Sequence, residues 1–211
     1  MTTKVAFERV GAFSGVLASL LLIVGGGLTD INPIVDVTAS SANIANVFIE
    51  NQTELLTGTY LRLLGVFALM WFLAYLREVL LENASDKSWV ISVAFGGGLI
   101  ACAMLLLSAH FMQSFTILDN YGSETQVAKA LYLLDWNWYL LVEAPALAAL
   151  VGATTAISFS NKIFPRWMNW WGVLLTIILL SPGIPGSGVV VTYLWLAVLS
   201  VLLLLKTRGS T

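Results

Sequence analysis

Charge is what this sequence has least of. Only 10% of its 211 residues are Asp, Glu, Lys or Arg, and 58% are hydrophobic. Soluble domains carry about 25% charged residues. A chain with a mean hydropathy of +0.87 has too little polar surface for a soluble fold of this size, which makes it an integral membrane protein. The net charge of −2 leaves no basic face for nucleic acid.

Metal-binding and nucleophilic chemistry are equally thin. A single cysteine, Cys102, sits inside an apolar run. It allows neither an internal disulfide nor a cysteine metal site, and reads as a small apolar packing residue. One histidine, His110, cannot make a His-Glu-x-x-His site, so no metal is expected. A lone histidine is more often a hydrogen-bonded structural residue than a haem ligand. No Gly-x-Ser-x-Gly is present, which argues against a serine hydrolase. No lysine falls mid-helix to hold a retinal Schiff base. The glycine runs Gly25–Gly27 and Gly96–Gly98 lack the Lys-Ser/Thr of a nucleotide loop. The residues therefore name no cofactor.

What is present is apolar length. Crossing the hydrocarbon core takes about 20 apolar residues. Six segments qualify or nearly so: about Val10–Leu28, Thr57–Leu76, Trp89–Phe111, Trp136–Phe159, Trp167–Leu180 and Val189–Leu205. The fold expected is all-α, a bundle of six transmembrane helices in one membrane domain over residues 1–211. Lys4 and Arg9 resemble the start of a signal peptide. The run behind them is long enough to span and has no convincing small-residue cleavage site, so it reads as the first membrane helix. The fifth segment is short and ends at "SPGIPGSG", which suggests a tight antiparallel pair with the sixth.

The first connection, "TDINPIVDVTASSANIANVFIENQTE", holds one further element. "TASS" offers N-caps, and Ile44, Val47 and Phe48 follow at helical spacing. A short amphipathic helix is expected there, on the membrane surface or capping the bundle.

Lysine and arginine set the orientation. With the N-terminus in the cytoplasm, eight of the ten fall inside, leaving Arg62 and Lys129 outside. Both termini are expected in the cytoplasm, and the membrane is read as the plasma (inner) membrane. The outer side is then acidic, and Trp89, Trp136, Trp138, Trp167, Trp170 and Trp171 lie near helix ends, as interfacial belts do.

Against this background, carboxylates within "LYLLDWNWYLLVEAPALAAL" demand an explanation. Asp135, Tyr139 and Glu143 are spaced i, i+4, i+8 and would share one face of a continuous fourth helix. Pro145 would free the carbonyl of Leu141 beside Glu143. Arg62 in helix two, and His110 and Gln113 in helix three, fall in the same outer half. An ionisable group in a membrane is a functional hypothesis by default. The expected partner of Glu143 is Arg62, then His110. The same residues could equally be a pair that locks helices together. A pocket would be lined by Arg62, His110, Asp135, Tyr139 and Glu143, with Trp71, Trp136 and Trp138 as apolar walls.

Helix one carries Gly11, Gly15 and Ser19 at four-residue spacing, a seam that lets helices approach closely. It reads first as packing, and otherwise as a contact for a membrane-protein partner.

Over nearly its full length the chain resembles the uncharacterised six-helix integral membrane proteins common in bacteria. The resemblance rests on "SSANIANVFIENQ", "FLAYLREVL", "FPRWMNWWG" and "YLWLAVLSVLLL". It implies the six-helix architecture and carries no catalytic residue. "FPRWMNWWG" also has a plain physical reading: Pro165 suits a first helical turn and the tryptophans suit the interface.

The leading expectation is therefore binding or passage of a small molecule or lipid at the outer polar pocket. One alternative is an intramembrane acid/base enzyme, an isomerase or cyclase, in which Glu143 or Asp135 supplies a proton. The other is an accessory subunit docking through the Gly11/Gly15 face.

Overall fold

The computed structural model describes residues 3–29, 39–118, 125–138, 142–181 and 185–208. Side chains are described at all of these except 3–5, 112–118, 125, 128, 135–138, 185–187 and 208. The described chain is all-α. Its helices are α1 (Thr3–Thr29), α2 (Ser41–Glu50), α3 (Gln52–Asn83), α4 (Ser88–Leu118), α5 (Thr125–Trp138), α6 (Ala144–Asn161), α7 (Arg166–Leu180) and α8 (Pro185–Arg208), with a 3₁₀ turn at Ser85–Lys87.

Four helices are long and apolar enough to cross a membrane: Ala6–Thr29, Gln52–Asn83, Ser85–Phe111 and Gly188–Thr207. α6 has 18 residues and α7 has 15, about 27 and 22 Å at 1.5 Å per residue. Helices of this bundle are apolar on both faces. In α1, Val10, Phe13, Leu17, Leu20 and Val24 are exposed while Ala12, Ala18 and Leu22 are buried. α7 does the same with Trp170, Leu174, Ile177 and Leu180 outward and Met168, Leu175 and Leu179 inward. An exposed apolar stripe repeated from helix to helix is what lipid, not water, accepts.

The six longer helices close a ring. α1 packs on α3, α3 on α4, α4 on α6, α6 on α7, α7 on α8, and α8 on α1. The expected antiparallel pairing of the fifth and sixth apolar segments is thus present as α7 and α8. Closeness depends on glycine in two places. A Cβ on Gly25 would lie 2.7 Å from the carbonyl oxygen of Gly58, and one on Gly97 would lie 2.7 Å from that of Ala146. The first sets α1 against α3, the second α4 against α6. Phe72, Leu69, Leu73, Leu147, Val151, Trp195, Leu196 and Leu199 fill the centre.

The short helices gather at one end. α2 packs against α5, and a second apolar cluster of Ile44, Val47, Phe48, Leu55 and Tyr132 lies between them. Phe48 and Tyr132 meet edge-on, centroids 6.3 Å apart. Ser40 caps α2 by accepting the Asn43 backbone N–H at 3.3 Å. Lys129 of α5 donates to the carbonyl of Ala39 at 2.8 Å. The amphipathic helix read from Ile44, Val47 and Phe48 is therefore present, with all three residues buried. We call this the capped end.

The opposite end gathers Arg9, Arg77, Lys87, Lys162, Arg166 and Lys206, since the helices alternate in direction. It is tied by polar bridges. Lys87 donates to Asn161 at 2.6 Å, and Asn161 donates to the Asn83 carbonyl at 2.9 Å. α6 stops where Lys162 turns left-handed, φ 55°, and the chain enters α7 behind Pro165.

The expected fourth helix, Trp136–Phe159, is described in two parts. α5 ends at Trp138, residues 142–143 are π-helical, and α6 runs from Ala144 with Pro145 in its first turn; residues 139–141 lie outside the described residues. The Gly11/Gly15 seam serves packing, its first reading, and is not free for a partner. A Cβ on Gly11 would meet the Tyr75 ring at 2.7 Å, and one on Gly15 would collide with Ser200 Oγ and meet Phe72 at 2.5 Å. The seam is spent on packing α1 against α3 and α8.

Candidate functional site

Two buried polar groups face inward toward the capped end. The first is built on Arg62, ten residues into α3 and 7% exposed. Its Nη1 donates to Thr29 Oγ1 on α1 at 3.3 Å, and its Nη2 donates to Ser108 Oγ on α4 at 3.1 Å. Both hydroxyl residues are buried. The reach to Thr29 follows from the Gly25–Gly58 crossing, which brings the α1 backbone against the Arg62 stem: a Cβ on Gly25 would lie 2.9 Å from Arg62 Cγ. Thr29 Oγ1 is aimed by its own helix, within 3.1 Å of the carbonyls of Gly25 and Gly26, so its lone pair turns to the guanidinium.

A guanidinium has five N–H donors. Two hydroxyls take two of them. Among the described residues no carboxylate forms an ion pair with Arg62. Burying a cation without a counter-charge is costly, and the remaining donors have no hydrogen-bond partner among the described residues. One turn away on α3, Thr59 is 3% exposed and its hydroxyl has no hydrogen-bond partner among the described residues.

The second group is Glu143, immediately before α6 and 1% exposed. Tyr193 of α8, itself buried, donates its hydroxyl to Glu143 Oε1 at 2.7 Å. The bond crosses the ring from α6 to α8.

The expected Arg62–Glu143 pair is replaced by hydroxyl partners for each.

The other residues read from sequence fall differently. His110, on α4 two residues beyond Ser108, is exposed. Asp135 belongs to α5, and its side chain lies outside the described residues, as do Tyr139 and the side chains of Gln113, Trp136 and Trp138. Leu141 lies outside them too. The shared face expected for Asp135, Tyr139 and Glu143 lies outside the described residues. Trp71 is half-exposed on the outer surface of α3, beside Phe67 at 6.4 Å between centroids, and walls no interior site.

Thr29, Thr59, Ser108 and Tyr193 were not singled out from the sequence. Hydroxyl residues in apolar helices commonly bond their own backbone, so they carry little signal. Tyr193 could have been found by depth, being eight residues into α8 from the capped end.

Among the described residues no group of three His, Cys, Asp or Glu could hold a metal. Comparison with protein families, curated proteins and solved structures finds no match for this chain.

Proposed function

We propose that the chain is a six-span membrane protein of the kind its sequence resembles, and that it binds or passes a small molecule or lipid at its capped end. The capped end faces outward and both termini lie in the cytoplasm. α6 and α7 join the four long helices as spans because they complete the closed ring, and the lysines and arginines gathered at the opposite end support the orientation. The binding site is the ring interior around Arg62 and Glu143. His110 belongs to its rim; Asp135 and Tyr139, read with it from the sequence, have side chains outside the described residues.

One observation carries the reading. A guanidinium 7% exposed is held by two hydroxyls, with no carboxylate in ion-pair range among the described residues. A pair that merely locked helices would put an acid there. The Glu143–Tyr193 bond adds a second polar station in the ring.

The test is native mass spectrometry of the whole protein in mild detergent, beside Glu143→Gln. Binding at this site predicts a discrete adduct on the wild type that is lost or much reduced in the variant. A wild type without any adduct, or an adduct equally retained by a folded Glu143→Gln, contradicts it.

A further inference from the structure

Gly15 and Gly26 are eleven residues apart on α1, about three turns, so they point the same way. At Gly15 that direction is the ring interior, filled by Ser200 of α8 and Phe72 of α3. At Gly26 the same direction is open among the described residues: a Cβ there would meet none of them within 4 Å. Gly26 is only half-buried. Among the described residues the inward stripe of α1 is thus tightly packed at one level and unfilled three turns on, at the capped end.

The open level is also the level of Arg62. Gly25, the residue before Gly26, packs on the Arg62 stem, and Thr29 joins the two through the Gly26 carbonyl and Arg62 Nη1. Ser108 closes the far side of the guanidinium. Thr59, buried and unpartnered among the described residues, adds a hydroxyl one turn away.

We infer that this space takes the oxyanion of an amphiphile, a phosphate or carboxylate bound by the free donors of Arg62 and admitted beside Gly26. The inference rests on the binding reading above and names its ligand class. A planar guanidinium offers paired N–H groups that match two oxygens of one oxyanion. Thr29 and Ser108 fix its plane from both sides, which leaves its remaining edge for the ligand. Thr59 can donate to the same group. The lipid-facing exterior of the ring is apolar, so the tail of an amphiphile has a place to lie.

The test exchanges the full-length protein in mild detergent against phosphatidylglycerol, phosphatidylcholine, oleate or inorganic phosphate, and reads retained mass and thermal midpoint. Wild type is compared with Arg62→Gln, Arg62→Lys, Gly26→Leu and Gly27→Leu. The expected result is preferential retention of phosphatidylglycerol or oleate over phosphatidylcholine. Loss of one charge-assisted bidentate contact lowers affinity by about tenfold or more in Arg62→Gln, with partial rescue in Arg62→Lys. Gly26→Leu abolishes retention by filling the space, while Gly27→Leu, on the exposed side with nothing within 4 Å, retains the lipid. Stabilisation by inorganic phosphate alone, dependent on Arg62, would support the same chemistry with a soluble oxyanion as its source.

Equal retention of phosphatidylcholine, or an adduct unchanged by both Arg62→Gln and Gly26→Leu, overturns the inference. An adduct that depends on Glu143 but not on Arg62 or Gly26 would overturn it while leaving the binding reading intact. A wild type that retains nothing defeats both.

Discussion

Gly15 and Gly26 lie on one stripe of one helix and do opposite work. Gly15 is a socket: Ser200 and Phe72 occupy the space its side chain would need. Gly26 borders space that no described residue fills. The difference separates two halves of the ring. Toward the basic end the interior is solid with Phe72, Leu73, Leu147, Trp195 and Leu199, and cross-helix ties through Lys87, Asn161 and Asn83 close the rim. Toward the capped end the interior turns polar with Arg62, Ser108, Glu143 and Tyr193, and a separate apolar cluster between α2 and α5 sits above it. One sequence thus builds a tied apolar base and a polar interior, the proposed chamber, under a small cap. In lipid the first is held by close packing, because there is no hydrophobic gain between apolar helices.

The comparison is broken most severely at the socket. Gly15→Leu forces a side chain into Ser200 and Phe72 and is expected to cost about 3 kcal/mol or more, if the chain folds at all. Thermal unfolding in mild detergent reads the loss. Phe48→Ala attacks the cap alone. It removes the edge-on partner of Tyr132 and should cost about 2 kcal/mol, less than in a full core because the cluster is small. The loss should be local: hydrogen exchange accelerates over residues 41–50 and 125–138 while the ring helices keep their protection. Ser40→Ala removes the α2 cap and should cost about 1 kcal/mol, again confined to the cap. Gly26→Ala is the mildest. With nothing to strike and better helix propensity, it should raise the thermal midpoint slightly, by less than about 1 kcal/mol. A large loss in Gly26→Ala would mean that the two glycines are alike and the chamber is absent.

How much of this was legible beforehand depended on whether a feature was local. The apolar runs gave α1, α3, α4, α7 and α8 closely, because length and hydropathy are properties of a segment. α2 was legible from three residues and a cap, since Ile44, Val47 and Phe48 carry the helical period themselves. α5 was missed because apolarity runs on through Leu131–Leu134 into α6, and no break shows in composition. Pro145 falls in the first turn of α6, directly behind the π-helical residues 142–143.

The site was half legible. Arg62 and Glu143 stand out as ionisable residues in apolar helices, and both are buried and inward. Their partners were not legible, because charge suggested a salt bridge where the fold supplies Thr29, Ser108 and Tyr193. The packing face of α1 was readable as a small-residue seam, but nothing local says that Gly15 is filled and Gly26 is open. That depends on where α3 and α8 diverge from α1, which is a property of the whole ring.

The most direct measurement of the central claim is thiol accessibility at the open glycine. Cys102, buried and the only cysteine, is first replaced by alanine, and Gly26→Cys and Gly15→Cys are made in that background. A membrane-impermeant charged thiol reagent is then applied from outside. The account predicts that Gly26→Cys is labelled, that an anionic amphiphile slows the labelling, that Arg62→Gln removes this protection, and that Gly15→Cys stays unlabelled. A Gly26→Cys protein as unreactive as Gly15→Cys would mean the ring is closed at both ends, and the chamber would have to be abandoned.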